Sequence, residues 1–499
     1  MDIAGLLRAT AERLPDKDAL VAGDPHATDP KVTYAQLDAA ADAVAGILQK
    51  KGLAAGDRVA LGMHNIPEFA MAYFGILRAG GIVVPLNAML SEPETRKILD
   101  DSGARFVFTA PPFAEIVAAA AGGTSVEETF STEDWGRLTG THATHPTAVS
   151  IDPEDVAVIA YTSGTTAEPK GAMLTHGNLI ANLEQQMAIP GAHVEQNDVV
   201  FLALPLFHIF GLNVSLGLTV MSGATGVLID RFEPVPTLRA IRDHRVTILL
   251  GAPTMYSAWV SVPGADQYDL SSVRLAISGA APLGPDVLRD FRDLFGVAIY
   301  EGYGMTETSP TLVSNRMAET PRPGSIGKAL PNVEFKLVDD NGNTVEMGDP
   351  GEIVVRGPNV FKGYWRRPEE TAHAFLAGGW FRTGDVGVLD EDGYLYLVDR
   401  KRDLIIVSGF NVYPAEVEAA LLQNDKIAEA AVVGVTHPYT GEAVKAFVVL
   451  EDGVTATEQE LIAESHSRLA RFKAPTSIEI VEELPHLPTG KVLKRALRI

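Results

Sequence analysis

The chain has 499 residues, more than one hydrophobic core usually accommodates, so at least two domains are expected. Its 41 basic and 64 acidic residues give a formal net charge of −23, which argues against general binding to nucleic acid or anionic membranes. The chain contains no cysteine, so thiol catalysis, disulfide bonds and cysteine-bound metals are excluded.

The N-terminal residues 1–17 have the pattern of an amphipathic helix and lack the features of a signal peptide, because their apolar residues fall on one side with charges between them. No apolar run in the sequence reaches the ~18 residues that are needed to span a bilayer. We therefore expect a cytoplasmic protein without a transmembrane segment.

Helical and strand-like patterns then alternate, which predicts α/β layering with largely parallel sheets. The clearest examples are a helix over 34–50, a strand over 58–63, a helix over 67–79 and a strand over 81–85. Residues 122–155 lack apolar periodicity and are predicted to form a surface connection. They lead into an apolar run over 156–160, which predicts a buried strand.

The segment after that run reads YTSGTTAEPKGAML, residues 161–174, and its composition suits a polyphosphate. Small residues let backbone N–H groups approach phosphate oxygens, the hydroxyls donate further hydrogen bonds, and Lys170 adds a positive charge. A Walker loop requires Gly-Lys-Ser/Thr, whereas Lys170 follows Pro169 and precedes Gly171. The magnesium-binding hydroxyl of a Walker loop is therefore missing, and a plain Ser/Thr/Gly surface loop is the alternative interpretation.

A second glycine-rich motif, EGYGMTET, spans residues 301–308. It breaks the GxGxxG dinucleotide fingerprint because Glu307 occupies the third glycine position. A carboxylate there would repel a pyrophosphate unless a cation intervened, and Mg²⁺ is the cation that carboxylates and nucleotide phosphates commonly share. Taken alone, the motif could also be a β-turn with a hydrogen-bonded glutamate.

The sequence pattern changes at residues 399–403, a cluster of charged residues between two apolar segments that are typical of strands. A solvated turn is one interpretation of the cluster, and a hinge is the other. The C-terminal residues after the cluster have the pattern of a small α+β unit, with a helix beginning at Pro414 and strands over 427–435 and 444–450.

These motifs, with SGAAPL (278–283), WFRTGD (380–385) and PTGKVLK (488–494), resemble in order those of the adenylate-forming superfamily, which includes acyl-CoA synthetases, peptide-synthetase adenylation domains and luciferases. The likeness covers essentially the whole chain; one departure is Ala167, where family members usually carry glycine. The resemblance implies an α/β fold, with a large N-terminal domain of stacked mixed or parallel sheets and helices and a small mobile α+β C-terminal domain. It also implies an AMP-binding domain over 1–398, a hinge over 399–403 that includes Arg402, and a catalytic lid domain over 404–499.

The resemblance further implies two half-reactions that use ATP, Mg²⁺ and CoA. Glu307 and Thr162 are expected to bind Mg²⁺, Thr306 to contact the α-phosphate, and Tyr303 to stack on adenine. Lys491 is expected to stabilise the charge that develops as a carboxylate attacks the α-phosphorus, which makes Lys491, Thr306 and Glu307 the expected catalytic residues. The implied ATP-binding residues are Thr162, Ser163, Gly164, Thr165, Thr166, Lys170, Gly279, Ala280, Ala281, Glu301, Gly302, Tyr303, Gly304, Met305, Thr306, Asp385, Arg400 and Lys491.

The acyl pocket is expected to be apolar and to take a monocarboxylate, because Gly302 stands where malonate-activating relatives carry arginine. His208 is interpreted as a binding residue and not as a catalyst. The implied acyl-binding residues are Phe207, His208, Phe210, Gly211, Asn213, Met255, Tyr256, Gly302, Thr308 and Pro310. Ser408 and Gly409 are the expected CoA contacts.

The predicted activity is the ATP-dependent conversion of a medium- or long-chain fatty acid to its acyl-CoA. A coumarate-type aryl acid is the alternative substrate, and a carrier protein is the alternative acceptor. An amino acid substrate is disfavoured, because no aspartate lies between His208 and Gly217. A nucleotide-binding regulator derived from an inactive synthetase is disfavoured as well, because Lys491, Glu307 and Lys170 are all retained.

Overall fold

The computed structural model describes residues 2–24, 31–136, 146–163, 169–318, 321–400, 405–451, 453–485 and 494–497. Within these ranges, no helix combines the length and the apolar character that a membrane crossing requires.

In the described chain, nine strands form the first large sheet, which is parallel in its centre and antiparallel at both edges. In spatial order they are Lys328–Ala329, Thr311–Ser314, Ile299–Gly304, Leu275–Ser278, Ile248–Gly251, Val199–Leu202, Thr225–Leu228, Asp18–Ala22 and Lys31–Thr33. The central strands are short apolar runs that are buried on both faces, as expected of a parallel sheet covered by helices.

A second large sheet contains seven strands of the described residues and is also mainly parallel. In spatial order they are Gly363–Tyr364, Pro169–Thr175, Val156–Ser163, Ile82–Pro85, Arg58–Gly62, Phe106–Thr109 and Glu128–Ser131. Strands Val156–Ser163 and Pro169–Thr175 pair antiparallel, and this pairing brings Thr162 opposite Lys170. The two ends of segment 161–174, whose composition suits a polyphosphate, are therefore held together by strand pairing.

Helices pack on these sheets. The α-helices of the described residues are Ile3–Arg13, Tyr34–Lys50, Pro67–Arg78, Glu92–Ser102, Phe113–Ala121, His176–Met187, Leu218–Ser222, Pro234–Asp243, Pro253–Val260, Pro285–Phe295, Pro368–Ala374, Pro414–Leu421 and Glu458–Ser465. A π-helical stretch, Phe210–Gly217, precedes Leu218–Ser222 without a break. Helix Glu92–Ser102 starts with a capping box, in which the Ser91 backbone N–H donates to Glu94 Oε2 at 2.9 Å. The capping box orients the Glu94 carboxylate at the end of the helix that faces the C-terminal part of the chain.

Two smaller sheets complete the fold, each with five strands in the part of the chain that is described. The third sheet contains Glu334–Val338, Gly351–Arg356, Trp380–Leu389, Phe375–Leu376 and Leu395–Arg400. The C-terminal sheet contains Phe410–Val412, Ile405–Val407, Gly441–Leu450, Ile427–His437 and Ser477–Ile480, and it has a buried apolar cluster of its own. The fold is thus mixed α/β, with a large N-terminal domain of stacked sheets and helices and a smaller C-terminal domain, as predicted.

The local predictions agree well with the structure where the apolar period is strong. The helix predicted over 34–50 is observed as Tyr34–Lys50, and the strand predicted over 58–63 as Arg58–Gly62. The interpretation of 122–155 as a mere connection is wrong in one part, because Glu128–Ser131 adds an edge strand that is parallel to Phe106–Thr109. Only Phe130 of that strand is buried, so its sequence carries almost no periodic signal.

Candidate active site

A deep cleft, here called the central cleft, lies where the carboxyl ends of strands Leu275–Ser278 and Ile299–Gly304 meet the third and the C-terminal sheets. Ligands of α/β folds commonly bind at this edge of the sheet. The lining residues are Gln186, His208, Ile209, Phe210, Val214, Ile277, Ser278, Gly279, Ala280, Gly302, Tyr303, Gly304, Met305, Thr306, Pro310, Thr311, Ser314, Arg316, Thr383, Gly384, Asp385, Gly409, Asn411 and Tyr413. The cleft thus brings together residues of three of the sequence motifs, 278–283, 301–308 and 380–385.

One wall of the central cleft joins the residues predicted to hold adenine and ribose. Tyr303 Oη donates a hydrogen bond of 2.7 Å to Asp385 Oδ2, although the two residues lie on different sheets. Both side chains are mostly buried, so the bond fixes the tyrosine ring and the carboxylate relative to each other. Arg400 pairs with Asp385 through the strand register, while its side chain lies outside the described residues.

A turn of small residues forms the adjoining wall. Ala280 adopts a φ of +73°, a left-handed conformation that is uncommon for a residue with a side chain. Glu301 is buried behind this turn and accepts a hydrogen bond of 3.1 Å from the backbone N–H of Leu283. Burial raises the pKa of Glu301. Glu301 and Ala281 were expected to bind ATP, but the structure does not place either of them on the lining of the central cleft, and Glu301 supports the turn from behind.

A neighbouring cleft, here called the Lys170 cleft, brings Thr162 and Lys170 together with Glu307. Glu307 is 6% exposed, and its Oε1 accepts a hydrogen bond of 2.8 Å from Tyr364 Oη. Lys170 Nζ lies 5.5 Å above the centre of the Tyr364 ring. The described residues hold no group of three or more His, Asp or Glu side chains suited to a metal ion. One carboxylate and one hydroxyl nevertheless fit Mg²⁺, which usually takes few protein ligands and completes its shell with phosphate and water oxygens.

Several predicted residues lie outside the described part of the chain. Gly164, Thr165, Thr166, Lys491 and Arg402 belong to this group. The side chain of Ser163 also lies outside it. Their expected roles in ATP binding, catalysis and the hinge remain predictions from the resemblance.

His208 lines the central cleft and also a cleft between the N-terminal and C-terminal domains, here called the interdomain cleft. Its Nδ1 accepts a hydrogen bond of 3.2 Å from the backbone N–H of Phe210, which leaves the proton of the neutral ring on Nε2. Burial lowers the pKa of His208 to about 4. A neutral, oriented imidazole of this kind can donate a hydrogen bond at neutral pH but is a poor proton acceptor through Nε2.

The predicted acyl residues divide into two groups. Phe210, Gly302 and Pro310 line the central cleft, and Phe207 lines the interdomain cleft. The other predicted residues, Gly211, Asn213, Met255, Tyr256 and Thr308, line neither of the two clefts.

The residues of the second group are held in the interior by their own contacts. Asn213 Nδ2 donates to the carbonyl oxygens of Leu179 and Ser309, at 3.1 and 2.7 Å. Tyr256 is fully buried, and its Oη donates to the Ile277 carbonyl oxygen at 2.8 Å. These side chains therefore support the cleft from behind and are not in contact with its space.

The acyl pocket was expected to be apolar, and the lining of the central cleft is apolar only in part. Apolar side chains of Phe210, Val214 and Ile277 line part of the central cleft, but Gln186, Thr311, Ser314 and Arg316 line another part of it. Here this polar group is called the polar floor. Sequence reasoning missed the polar floor because its members come from helix His176–Met187 and from the antiparallel return after Gly304, and neither segment contains a recognisable motif.

The interdomain cleft is the third of these clefts. It lies between the C-terminal domain on one side and helix Glu92–Ser102 and strand Val156–Ser163 on the other. Phe410, Asn411, Glu416, Phe472 and Lys473 line it from the C-terminal side. It meets the central cleft at four shared residues, which are His208, Ile209, Thr306 and Asn411. A long thin ligand in the interdomain cleft would therefore end beside the central cleft.

The C-terminal domain reaches the central cleft through Gly409, whose φ of +85° favours glycine. A Cβ at this position would lie 3.6 Å from Ala252 Cβ and 3.9 Å from Ala280 Cβ of the N-terminal domain. Ser408, the other expected CoA contact, has a φ of +52° and does not line the cleft. Of these two residues, only Gly409 lines the central cleft, and it presents bare backbone there.

Comparison with known proteins agrees with this architecture. Residues 7–365 match the profile of the AMP-binding enzyme family, and residues 416–491 match that of the AMP-binding enzyme C-terminal domain. The chain is 36% identical to a long-chain-fatty-acid–CoA ligase of Bacillus subtilis strain 168 over 99% of this chain and 94% of that protein. It is 39% identical to a feruloyl-CoA synthase of an Amycolatopsis species over 95% of this chain and 96% of that protein.

A solved structure of Bacillus subtilis o-succinylbenzoate CoA synthetase, a double mutant bound with the product analogue OSB-NCoA, superposes with a TM-score of 0.88 at 33% identity. The match covers 99% of this chain and 98% of that chain. The chain therefore belongs to the AMP-binding, or adenylate-forming, enzyme family, as the motifs predicted. It is an AMP-forming acyl-CoA ligase that uses ATP, Mg²⁺ and CoA.

Proposed function

We propose that the acid activated by this ligase has an extended apolar body and belongs to the fatty-acid class. The names of relatives such as the Bacillus subtilis ligase support this choice. The apolar side chains of Phe210, Val214 and Ile277 in the central cleft support it as well, because they offer a surface to a hydrocarbon chain. An aryl acid is the second candidate, supported by the similarity to a feruloyl-CoA synthase.

The observation that carries the proposal is the convergence of nucleotide-type and acyl-type residues on one cleft. Tyr303 and Asp385 form the side that suits a nucleoside, because a carboxylate can accept hydrogen bonds from ribose hydroxyls and an aromatic ring can stack on a base. Gly302, one residue before Tyr303, lines the same cleft and has no side chain, so it leaves space for the acyl group. Thr306 lies between them and the interdomain cleft, at the position that suits the reacting carboxylate and the α-phosphate.

The Lys170 cleft is proposed to hold the outer phosphates. Lys170 supplies a positive charge there, and Thr162 and Glu307 supply oxygen ligands that suit Mg²⁺. When bound, Mg²⁺ neutralises phosphate charge and stabilises the pyrophosphate that leaves. The loop residues Gly164, Thr165 and Thr166 and the C-terminal Lys491 are proposed to complete the phosphate contacts, on the strength of the sequence motifs alone.

His208 is proposed to orient the acid and not to exchange a proton with it. A pKa of about 4 keeps its ring neutral, and its Nδ1 is already occupied by the Phe210 backbone N–H. The remaining Nε2–H can donate to the carboxylate of the acid or to the acyl carbonyl. A donor held in this way favours one orientation of the reacting group.

The interdomain cleft is proposed as the path of the CoA thiol arm. Residues of both domains line it, and it meets the central cleft at His208 and Thr306. Gly409 lines the central cleft and has no side chain, so on the C-terminal side it leaves space for a thiol that approaches the acyl-adenylate. The C-terminal domain is proposed to span residues 404–499, to follow a hinge over 399–403 at the end of residues 1–398, and to turn about that hinge between the two half-reactions.

The proposal is tested by supplying ATP, Mg²⁺ and CoA with C6–C18 fatty acids, ferulate and coumarate, and by measuring AMP, pyrophosphate and acyl-CoA. We expect acid-dependent AMP and an equal amount of acyl-CoA, with the best rates among the acids of fatty-acid type. Best rates on ferulate or coumarate would favour the aryl alternative. Adenylate that turns over with a phosphopantetheinylated carrier protein but not with CoA would contradict CoA as the acceptor.

A further inference from the structure

The polar floor of the central cleft contains a buried cation without an anionic partner. Arg316 lines the cleft and is only 4% exposed. Across the described ranges, no carboxylate oxygen comes within 4.0 Å of its guanidinium. Burial lowers the pKa of Arg316 to about 10, so the side chain still carries its charge at neutral pH. A buried charge is costly unless it is paired, so this arginine requires an explanation.

The guanidinium is held in place by three uncharged acceptors. Nη1 donates to the Ala192 carbonyl oxygen at 3.0 Å, Nε donates to Ser314 Oγ at 3.3 Å, and Nη2 donates to Gln186 Oε1. A guanidinium has five N–H groups, so two remain without an acceptor among the described residues. The arginine is thus fixed in orientation but not neutralised.

The acceptors are themselves oriented by further hydrogen bonds. Gln186 Nε2 donates to Thr311 Oγ1 at 2.7 Å, which directs Gln186 Oε1 towards the guanidinium. Gln186 and Ser314 are 1% exposed, so this network lies in the interior and not on the surface. The hydrogen bonds that are formed hold the cation in the wall of the cleft, while two of its N–H groups stay available.

The position of Arg316 relates it to the acyl group. Gly302 pairs with Ser314 across the antiparallel strands, and a Cβ at Gly302 would lie 4.0 Å from Ser314 Oγ. Ser314 is the residue that accepts from Arg316 Nε. The guanidinium therefore lies beyond Gly302 on the acyl side of the cleft, while Tyr303 and Asp385 define the nucleotide side.

We propose that Arg316 binds a second carboxylate at the far end of the acyl group, so that the preferred substrate is a dicarboxylic acid of which one carboxylate is activated. This inference rests on the proposed function and narrows its fatty-acid class to acids that carry a second, terminal carboxylate. The apolar body of the acid packs on Phe210, Val214 and Ile277, and its terminal carboxylate accepts from the two remaining N–H groups of Arg316. A terminal methyl group at the same place would leave those donors buried and unpaired.

The inference is tested by comparing acids of equal length. The value of kcat/KM for AMP release is measured with α,ω-dicarboxylic acids of 6 to 16 carbons, with their monomethyl esters and with the monocarboxylic acids of the same length. For the best chain length, we expect the diacid to exceed both by about 10–100-fold, the range of one charged hydrogen-bonded contact. The monomethyl ester keeps the length and removes only the charge, so this part of the test needs no variant.

Variants of Arg316 test whether this residue recognises the second carboxylate. In Arg316→Met the ratio of diacid to monoacid is expected to fall by about 10–100-fold, with activity on the monoacid kept or raised, and Arg316→Lys is expected to restore part of the preference. Arg78→Met is the control, because Arg78 is also buried but pairs with Asp38 and Asp42, away from the cleft. It is expected to leave the ratio unchanged, whatever its effect on folding.

The outcomes distinguish the role of Arg316 from the proposed function. A wild-type enzyme that prefers the monoacid or treats the ester and the diacid alike overturns the role of Arg316, even though AMP and acyl-CoA are formed. An equal loss on all acids in a folded Arg316→Met variant also overturns it and indicates a purely structural arginine. Failure of every acid to support AMP release instead contradicts the proposed function itself.

Discussion

Lys473 Nζ lies 2.9 Å from Glu94 Oε1, and this ion pair joins the C-terminal domain to the helix Glu92–Ser102 of the N-terminal domain. The lysine also lies 2.6 Å from Glu416 Oε1, and all three side chains are at most 13% exposed. Burial raises the pKa of Glu416, and the two flanking carboxylates raise the pKa of Lys473. The pair therefore ties the two domains together at the edge of the interdomain cleft.

In this structure the contact coexists with Gly409 on the lining of the central cleft, the arrangement that we propose for thioester formation, so we expect the ion pair to stabilise that arrangement. Removing one partner of a buried pair typically costs about 3–5 kcal/mol. Lys473→Met is therefore expected to slow transfer from the acyl-adenylate to CoA by at least about tenfold, with little effect on adenylate formation. Pulse-quench measurement of transfer and acid-dependent exchange of pyrophosphate into ATP report the two steps separately.

Lys445→Met is the matched control for this prediction. Lys445 pairs with Glu479 at 2.8 Å within the C-terminal domain, and that pair is partly exposed. Lys445→Met is expected to change the rates of adenylate formation and of transfer to CoA by no more than about twofold, since exposed ion pairs contribute about 0–1 kcal/mol. If Lys473→Met slowed both half-reactions alike, the ion pair would have no special relation to the second step.

The hydrogen bond between Tyr303 and Asp385 gives a prediction for nucleotide binding. Tyr303→Phe keeps the ring and removes the hydroxyl that donates to Asp385 Oδ2. Losing a hydrogen bond to a charged acceptor costs about 1.5–3 kcal/mol, so KM for ATP is expected to rise by about 10–100-fold. KM for the acid is expected to stay within about twofold, and a rise in both KM values would contradict the division of the cleft into a nucleotide side and an acyl side.

Two glycines of the same strand offer a test of the acyl side. A Cβ at Gly302 would meet nothing closer than the Val313 carbonyl oxygen at 3.5 Å, whereas one at Gly304 would lie 2.0 Å from the Pro310 carbonyl oxygen. Gly302→Ala is thus expected to fold with a stability change below about 1 kcal/mol and to lower kcat/KM most for bulky aryl acids. Gly304→Ala is expected to cost about 1–3 kcal/mol of stability, because the backbone must move.

Thermal unfolding and kinetics of the two alanine variants check this contrast. A Gly302→Ala enzyme with an unaltered ratio between aryl and straight-chain acids would show that the acyl group does not pass this residue.

The lowered pKa of His208 predicts that the free energy of unfolding depends on pH. Its pKa is lowered to about 4 in the folded protein, below the ordinary value of 6.5, so the unfolded chain binds the proton more readily between these values. The stability contributed by the neutral ring is present above pH 6.5 and is lost as the pH falls towards 4. The loss is at most about 3 kcal/mol.

Unfolding by denaturant at pH 7 and pH 5, in wild type and in His208→Gln, measures this contribution. The variant is expected to lose less stability between the two pH values than wild type. Equal losses would show that the ring is not held neutral by burial.

The sequence predicted the general design of the molecule well and the detail of the acyl site poorly. The helix Tyr34–Lys50 and the strand that begins at Val156 follow from strong apolar patterns, whereas the strand Pro169–Thr175 lies in a segment that was interpreted as a loop. The motif EGYGMTET contains one glycine that the backbone requires, because a Cβ at Gly304 would lie 2.0 Å from the Pro310 carbonyl oxygen. Local sequence signals of this kind need no tertiary context.

The acyl site depends on contacts between distant segments, and so it could not be predicted. Arg316 reaches the cleft only because Thr311–Ser314 returns antiparallel to Ile299–Gly304, and its partner Gln186 comes from a helix 130 residues earlier. Tyr256, in contrast, was expected in the pocket from the family resemblance, and in this structure it packs on Trp259 and Phe291 in the core. The motif position alone did not distinguish a core aromatic residue from one that lines a pocket.

The most direct test of the central claim is a single product analysis at saturating ATP, Mg²⁺ and CoA with a matched pair of acids, one dicarboxylic and one monocarboxylic. We predict AMP and acyl-CoA in equal amounts, a mass for the product that retains one free carboxylate, and a higher kcat/KM for the diacid. ADP in place of AMP, or AMP release without any acid, would contradict the assignment of an acid-activating, AMP-forming ligase.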